Sequence, residues 1–219
     1  MDPRRVTFIS CVNDEALYAR CLRELQSLEV PPGFEVEQLA VRGAPSMTVG
    51  YNAAMRANNA KYKIYLHQDV FITHKGFLHD VIATFERDPG LGMLGLVGAE
   101  KLPAHGIWWD SEGPKYGAVF EFKDNALHLR NLTPVVGKPQ LVQAIDGLLM
   151  ATQVDLPWNE RIEGFDFYDV SHALDFWRAD YQVAVVDQGA LPWVIHALGE
   201  PLDEESYRRH RLRFLELYR

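Results

Sequence analysis

The sequence contains few cysteines and no excess of positive charge. Only two cysteines, Cys11 and Cys21, occur in 219 residues, which excludes a disulfide framework; their spacing is not that of a metal site. We expect both thiols to be reduced core residues. With 30 acidic residues against 22 lysines and arginines, the formal net charge is −8. A general positive field for nucleic acid or anionic lipid is excluded, so any phosphate must be bound locally, by a metal, a helix N-terminus or a few basic groups.

Long apolar segments are also lacking. No run has the length of a membrane span or of a signal-peptide core, and the first five residues lead directly into a short strand-like run. Repeats and low-complexity tracts are absent as well. We therefore expect a soluble, cytoplasmic protein with no transmembrane segment and no nucleic-acid partner. A chain of 219 residues that is 47% hydrophobic is suited to one domain with a packed core.

Strand-like and helix-like segments alternate along the first hundred residues. Buried strands are predicted at residues 6–11, 34–41, 64–72 and 91–97. Amphipathic helices are predicted after an N-cap at Asn13, from Ser46 or Thr48 to about residue 59, and at residues 74–87. This order indicates βαβ units, and hence an α/β fold: a single Rossmann-like domain with a mostly parallel mixed central sheet flanked by helices. Ligands of such sheets bind beyond the carboxyl ends of the strands.

The alternation stops between about residues 100 and 142, a segment rich in glycine, proline and aromatic residues. A hairpin is predicted here, with strands at residues 118–123 and 127–132. Trp108 and Trp109 could line a substrate groove, although ordinary packing is the commoner role of such side chains. Beyond the segment, a helix is predicted from about Tyr168, strands at residues 183–186 and 191–195, and a closing helix at residues 203–218.

The most informative stretch is residues 61–72, in which His67 and Asp69 interrupt an apolar, strand-like run. If the strand continues through them, side chains two residues apart point to the same side and can reach one ligand or cation together. Alternatively, the strand ends at Leu66 and residues 67–69 form an exposed turn before a second short strand. A polar interruption inside a core strand costs free energy unless its groups are satisfied.

Six short motifs follow one another along the chain. They are Ser-Cys-Val-Asn-Asp at residues 10–14, Gly-Tyr-Asn-Ala-Ala at 50–54, His-Gln-Asp at 67–69, Ile-Asp-Gly at 145–147, Gly-Phe-Asp-Phe-Tyr-Asp at 164–169 and Val-Ile-His at 194–196. In this order the chain resembles the nucleotide-sugar glycosyltransferases with a GT-A fold, in particular family 2 and its small bacterial, streptomycin-biosynthesis-type branch. The resemblance implies one GT-A-like domain over residues 1–219, with a nucleotide-binding half at 1–99 and an acceptor and catalytic half at 100–219.

The resemblance also implies a metal site. Asp69 takes the position of the acid that holds a divalent cation against the diphosphate of the donor, and His196 matches a C-terminal histidine ligand of several relatives. His67 stands where most relatives have the first acid of an Asp-x-Asp motif. That exchange removes one anion and could favour Mn²⁺ over Mg²⁺, because imidazole suits the softer ion. We therefore expect Mn²⁺ or Mg²⁺ at His67, Asp69 and His196.

The donor is expected to be a nucleoside-diphosphate sugar, with a UDP-sugar favoured. Many relatives have an acid that contacts uracil where this chain has Arg42, which could meet the base or a phosphate instead. Asn52 would lie close to the diphosphate or the sugar. The nucleotide contacts implied by the resemblance are Cys11, Val12, Asn13, Arg42, Asn52, Gln68 and Asp69.

Asp169 matches the position of the catalytic base, which takes a proton from the acceptor hydroxyl in an inverting transfer. Asp166 lies three residues earlier; if the turn is helical, the two carboxylates share a face and their repulsion raises one pKa. Alternatively, Asp166 is a solvated loop acid. Asp146, inside an apolar stretch, is expected to bind the acceptor or order the site, and Trp158 either offers a flat face to a sugar or packs in the core. The acceptor is a carbohydrate or another hydroxyl compound.

Two other functions fit the same residues. A non-catalytic nucleotide-sugar-binding protein would share the fold, because fold does not fix function and His67 replaces a familiar ligand. A metal-dependent hydrolase would use His67, Asp69, His172 and His196. The donor sugar, the acceptor, the nucleobase and the oligomeric state are not determined by the sequence.

Overall fold

The computed structural model describes residues 1–197 and 203–218 and contains two β-sheets. The strands are β1 (Asp2–Val12), β2 (Glu35–Arg42), β3 (Ala60–Leu66), β4 (Val70–Ile72), β5 (Leu91–Gly95), β6 (Val97–Ala99), β7 (Lys115–Lys123), β8 (Ala126–Asn131), β9 (Gln140–Leu141), β10 (Ala144–Ile145), β11 (Leu149–Thr152), β12 (Gln182–Val185) and β13 (Val194–Ala197). The helices are α1 (Glu15–Gln26), α2 (Met47–Ala57), α3 (Phe77–Arg87), α4 (Tyr168–Arg178) and α5 (Glu204–Tyr218), with a short 3-10 helix at Trp108–Asp110.

The central sheet has the strand order β2-β1-β3-β11-β5-β12-β9 in the described part of the chain. β1 is parallel to β2 and β3, and β12 is parallel to β5, whereas β11 and β9 run antiparallel to their neighbours. The predicted α/β domain with a mixed central sheet is confirmed. Because β11 lies between β3 and β5, the sheet extends across the boundary at residue 99. The division into two halves therefore stays a prediction about roles.

A second sheet, in the order β10-β6-β7-β13-β4, covers one end of the central sheet and carries β8 at its edge. The predicted hairpin is confirmed: β7 and β8 are antiparallel, and Asp124 and Asn125 between them have φ of 53° and 58°. Two positive φ values are what a type I′ turn requires.

The continuous strand considered for residues 64–72 is not formed. β3 ends at Leu66, and β4 leaves the central sheet to pair with β13. The turn between them is closed by a hydrogen bond of 3.2 Å from the Val70 amide to the His67 carbonyl. The alternative interpretation is thus the better one, with one difference: residues 67–69 are half-buried rather than exposed.

Three local features bear on the other predictions. Asp14, not Asn13, caps α1, because its side chain accepts from the amides of Ala16 and Leu17. Both cysteines are free thiols, and burial raises their pKa values to about 12. Among the described residues, no helix combines the length and the apolar character that crossing a membrane requires.

Candidate active site

A cleft of about 310 Å³ opens where the parallel strands β1, β2 and β3 end. The fold places it at the carboxyl edge of the sheet, where ligands of α/β proteins bind. Its lining residues are Cys11, Val12, Asn13, Val41, Gly43, Ala44, Met47, His67, Gln68, Asp69 and Phe165. We name it the donor cleft. Five of the residues predicted to meet a nucleotide therefore line one cavity.

His67, Asp69 and His196 converge at the donor cleft. One candidate ligand atom from each lies within 4.8 Å of the other two, although His196 is 127 positions away from Asp69. Strand pairing explains the convergence: β13 is antiparallel to β4 with His196 opposite Val70, and the Ala197 amide donates to the Asp69 carbonyl at 2.9 Å. The carboxylate of Asp69 lies 3.5 Å from Nε2 of His196.

We name His67, Asp69 and His196 the cation cluster, because together they could bind a cation. The charge of each residue affects the pKa of its neighbours. Burial lowers the pKa of His67, and the nearby charge of His196 lowers it further. Burial also acts against ionisation of Asp69, but the hydrogen bond and charge of His196 outweigh it and leave the pKa of Asp69 below its ordinary value. For His196 burial is again outweighed, and the hydrogen bond to Asp69 raises its pKa. An ionised carboxylate and a neutral imidazole are the ligand forms that a divalent cation needs.

The donor set fits a transition-metal cation. Two imidazoles with one carboxylate suit Mn²⁺ better than Mg²⁺, which prefers oxygen ligands alone. A supporting contact orients His67: its Nε2 is hydrogen-bonded to the hydroxyl of Tyr168, which also donates to the Gly147 carbonyl at 3.2 Å. When that hydroxyl donates to Gly147, it accepts from His67, and Nδ1 then carries the lone pair that a cation uses.

Gly147 makes room for this contact. A Cβ atom at that position would lie 2.2 Å from the Tyr168 hydroxyl oxygen, which is closer than any side chain can approach. The Gly147 amide, in turn, donates to Oδ2 of Asp169 at 2.9 Å. One residue without a side chain thus connects the cation cluster with the predicted base.

A second pocket, of about 140 Å³, adjoins the donor cleft, and His67 and Phe165 line both. We name it the acceptor pocket. Its other lining residues are Gly106, Trp108, Trp109, Asp146, Gly147, Asp166, Phe167, Tyr168, Asp169, Val170 and Tyr207. They come from the segment after β6, the turn after β10, the loop before α4 with the first turn of that helix, and the closing helix α5, so the pocket is assembled from separate parts of the chain.

Asp169 lies in the first turn of α4, beside the acceptor pocket. Its two carboxylate oxygens accept from the amides of Gly147 and Val170, at 2.9 and 2.8 Å. Burial raises its pKa to about 7, and the charge of Asp146 contributes to the rise. At neutral pH the group therefore exchanges a proton readily, which is the property of a general base.

Asp146, not Asp166, is the acid that acts on Asp169. The expected pairing of Asp166 with Asp169 fails because α4 begins only at Tyr168, after Phe167 with a φ of 60°. Asp166 instead accepts from Nδ1 of His210 on α5, at 2.7 Å. Of the two interpretations of Asp166, the shared helical face is excluded, and the loop acid is half-buried and bonded to His210 rather than solvated.

Asn52 and Trp158 are both buried in the core, which corrects the expected ligand contact of Asn52 and favours the core-packing alternative for Trp158. The Asn52 amide is used by the backbone of Trp158 and by Glu160, so it is not free for a diphosphate. The ring of Trp158 is stacked on His172, with centroids 3.6 Å apart, and offers no face to a sugar. His172 lies in the core, where burial lowers its pKa to about 3, and it does not belong to the cation cluster.

Arg42 and Gln68 have structural partners. The guanidinium of Arg42 makes two hydrogen bonds, of 2.6 and 2.9 Å, with Glu15 on the surface, and Arg42 does not line the donor cleft. Gln68 lines the cleft, and its side-chain oxygen accepts from the amides of Asn13 and Asp14, both at 2.9 Å. Gln68 therefore orders the end of β1 beside the cation cluster.

Sequence reasoning did not assign Tyr168, Tyr207 or Phe165 to the site. Tyr168 supports His67, Tyr207 lines the acceptor pocket from α5, and Phe165 separates the two pockets. Phe165 and Tyr168 belong to the motif at residues 164–169. Their contacts with the two pockets and with His67 are seen only in the folded structure. Tyr207 has no signal beyond its place in an amphipathic helix.

An α/β domain with possible cation ligands after β3, and with carboxylates in an adjoining pocket, has the layout of a GT-A glycosyltransferase. The model of the Glycosyltransferase like family matches residues 7–218, and the chain belongs to this family. The prediction of a glycosyltransferase is confirmed at that level, whereas the streptomycin-type branch stays a prediction. A comparison with curated proteins finds no match.

Solved structures share the fold at low sequence identity. The mannosyltransferase PcManGT from Pyrobaculum calidifontis, in complex with GDP-Man and Mn²⁺, has a TM-score of 0.54 and 13% identity, covering 97% of this chain and 61% of that one. Residues 1–349 of TarS from S. aureus, in complex with UDP-GlcNAc, have a TM-score of 0.55 and 10% identity, covering 93% of this chain and 61% of that one. GalNAc-T7 with UDP, GalNAc and Mn²⁺ has a TM-score of 0.66 and 9% identity, covering 99% of this chain and 48% of that one. The chain thus spans roughly half to three-fifths of these structures.

Proposed function

We propose that this protein is a metal-dependent, inverting glycosyltransferase that moves a sugar from a nucleoside-diphosphate sugar to an acceptor hydroxyl. The observation that carries the proposal is that two adjoining pockets share lining residues, and that one contains the cation cluster and the other contains Asp169. Similar structures contain GDP-Man, UDP-GlcNAc or UDP. We favour a UDP-sugar as the donor, and a GDP-sugar is the next to test.

The donor would lie in the donor cleft. Cys11, Val12 and Asn13, at the end of β1, would meet the base and ribose, and Gln68 holds that strand end in place. His67, Asp69 and His196 would hold Mn²⁺ or Mg²⁺ at the diphosphate. When bound there, the cation supplies Lewis-acid stabilisation of the leaving diphosphate.

Asp169 would act on the acceptor. The acceptor oxygen attacks the anomeric carbon from the face opposite the diphosphate, so the new carbon–oxygen bond forms as the bond to the diphosphate breaks. The proton of the acceptor hydroxyl passes to a carboxylate oxygen of Asp169, and the displacement inverts the anomeric configuration. A pKa of about 7 makes Asp169 basic enough to accept that proton while it is still substantially ionised at neutral pH. General-base assistance contributes about 10² to 10⁴ in rate.

The test is release of nucleoside diphosphate from UDP- and GDP-sugars, with and without Mn²⁺, over a panel of hydroxyl acceptors. We expect Mn²⁺-dependent release, faster with acceptor than by hydrolysis alone. Binding of nucleotide sugars with Mn²⁺ but no release over the whole panel would overturn the proposal in favour of a non-catalytic binding protein. Metal retention with no thermal shift from any nucleoside diphosphate would instead indicate the hydrolase.

A further inference from the structure

The described residues that line the acceptor pocket include three aspartates and neither lysine nor arginine, although Arg211 lies close enough to Tyr207 to act to lower its pKa. The three aspartates are Asp146, Asp166 and Asp169. Among the described lining residues, His67 is the side chain that could become positively charged, and it belongs to the cation cluster. Asp166 has His210 as a partner behind the pocket. A carboxylate or phosphate placed here would lie close to like charges in a partly dry site, where the repulsion is strong.

Two buried hydrogen-bonding groups of this pocket have no partner among the described residues. They are Nε1 of Trp108, whose side chain is 2% exposed, and the hydroxyl of Tyr207. Buried polar groups are nearly always hydrogen-bonded, and these two belong to side chains that line the acceptor pocket. Trp108 can only donate, whereas Tyr207 can donate or accept. A ligand rich in hydroxyl groups satisfies both.

Aromatic rings surround the same groups. Trp109, which is 42% exposed, lies edge-on to Trp108 and tilted against Tyr207, with centroids 5.9 Å apart in both pairs. Phe165 is exposed at the boundary with the donor cleft. Flat apolar faces beside hydrogen-bonding groups match the two kinds of surface that a sugar ring presents.

We propose that the acceptor pocket binds an uncharged or cationic sugar, such as a neutral hexose or a hexosamine, and rejects sugars that bear a carboxylate or phosphate. Trp108 and Tyr207 hydrogen-bond its hydroxyl groups, Trp109 stacks on it, and the aspartates set its charge. This inference rests on the proposed function, since it names the acceptor class of the pocket that contains Asp169.

The charge rule is tested with three acceptors of one skeleton: methyl glucoside, methyl glucosaminide and methyl glucuronide. Their binding to the full chain, loaded with UDP and Mn²⁺, is followed by ligand-observed NMR, which requires no turnover. We expect the glucuronide to bind at least tenfold more weakly than the other two, and Asp166→Asn to narrow that gap. Glucuronide binding equal to or tighter than that of the glucoside would overturn the proposal.

The hydroxyl rule has a matched pair of variants. Tyr207→Phe removes a hydroxyl without a partner, so it should weaken glucoside binding about fivefold while leaving the thermal midpoint unchanged. Tyr218→Phe removes a hydroxyl bonded to Asp175 and Asn159, at 2.6 and 3.0 Å. That control should lower the midpoint and leave glucoside binding intact. Unchanged glucoside affinity in Tyr207→Phe would contradict the proposed contact.

Failure of this inference can be separated from failure of the proposed function. Mn²⁺-dependent nucleotide binding and donor hydrolysis are measured without any acceptor. If both are present and the glucuronide is nevertheless preferred, the acceptor class is wrong and the transferase stands. If both are absent while the glucoside binds, the pocket binds sugars as inferred, and the transferase proposal fails.

Discussion

The donor cleft and the acceptor pocket share His67 and Phe165 but differ in how they are built. The donor cleft is formed chiefly by the ends of neighbouring parallel strands, and its carboxylate is balanced by a histidine. The acceptor pocket is assembled from four distant segments, which follow β6, follow β10, surround the start of α4 and lie on α5, and three of its lining residues are aspartates. Under the proposed function, the charges of the donor cleft would hold a cation and those of the acceptor pocket would receive a proton. Changes in one pocket should therefore leave the function of the other intact.

Asp169→Asn should have the largest effect. Removal of the base should lower the transfer rate by about 10³-fold, within the range of general-base contributions. Mn²⁺-dependent nucleotide binding should change less than twofold, because Asp169 does not line the donor cleft. Asp175→Asn, on the same helix and paired with Arg178, is the matched control and should keep its rate. Steady-state kinetics measures the transfer rate, and calorimetry measures nucleotide binding. A transfer rate preserved in Asp169→Asn would show that Asp169 is not the catalytic base.

Asp69→Asn should impair the donor cleft and leave acceptor binding intact. Loss of the one carboxylate in the cation cluster should weaken Mn²⁺-dependent nucleotide binding by about 100-fold, somewhat more than the loss of a supporting group does. Binding of methyl glucoside in the acceptor pocket should persist. Another histidine–aspartate pair, His74 and Asp80 at 2.6 Å, lies outside the donor cleft and supplies the control Asp80→Asn. Equal loss in both variants would show that the effect is structural.

The pH profile separates the pockets without mutation. Because Asp169 must be ionised to accept a proton, the transfer rate should fall about tenfold per pH unit below its pKa of about 7. Nucleotide-independent acceptor binding, followed by NMR with methyl glucoside, should not follow that curve. A rate that is flat from pH 5 to 8 would contradict the assignment of Asp169.

The same carboxyl group should affect stability. Its pKa in the folded protein, about 7, lies above the ordinary 3.8, so the folded state binds more protons between these values. Its contribution to stability is present below about pH 4 and is lost as the pH rises through 7. The thermal midpoint of Asp169→Asn, relative to the wild type, should therefore rise between pH 5 and pH 8. A constant difference in calorimetric scans would contradict the raised pKa.

Tyr168→Phe should have a smaller effect on the donor cleft than Asp69→Asn. Loss of the hydroxyl that orients His67 should weaken Mn²⁺ binding by about tenfold, less than Asp69→Asn does. Tyr51→Phe is the control, since Tyr51 lines neither pocket and its hydroxyl has no partner among the described residues. Unchanged Mn²⁺ affinity in Tyr168→Phe, measured by calorimetry, would exclude the supporting role.

The sequence predicted the donor cleft better than the acceptor pocket, for a physical reason. Cys11 to Asn13 and residues 67–69 follow apolar runs, and parallel strands bring their carboxyl ends together whatever lies between. The position of His196 required the motif resemblance, because pairing of β13 with β4 is not visible in local pattern. Periodicity left open whether the strand ends at Leu66, since the residues of β3 and β4 are almost all buried.

The acceptor pocket depends on contacts between distant segments. Asp166 would have shared a face with Asp169 only in a helical turn, and the left-handed Phe167 and the partner His210 show that this turn is not formed. Asn52 and Trp158 are polar or amphipathic residues that satisfy each other inside the core, which a linear pattern cannot distinguish from a ligand contact. Tyr207 enters the pocket only because α5 folds back over the loop before α4.

The convergence of His196 on His67 and Asp69 is tested most directly by calorimetric titration of UDP and GDP, with and without Mn²⁺, into the wild type and His196→Asn. We predict that Mn²⁺ raises the affinity of the wild type for one of these nucleotides by at least tenfold, and that His196→Asn loses most of this gain. The same affinity in the presence and absence of Mn²⁺, or a full Mn²⁺ effect in His196→Asn, would contradict the proposed cation cluster.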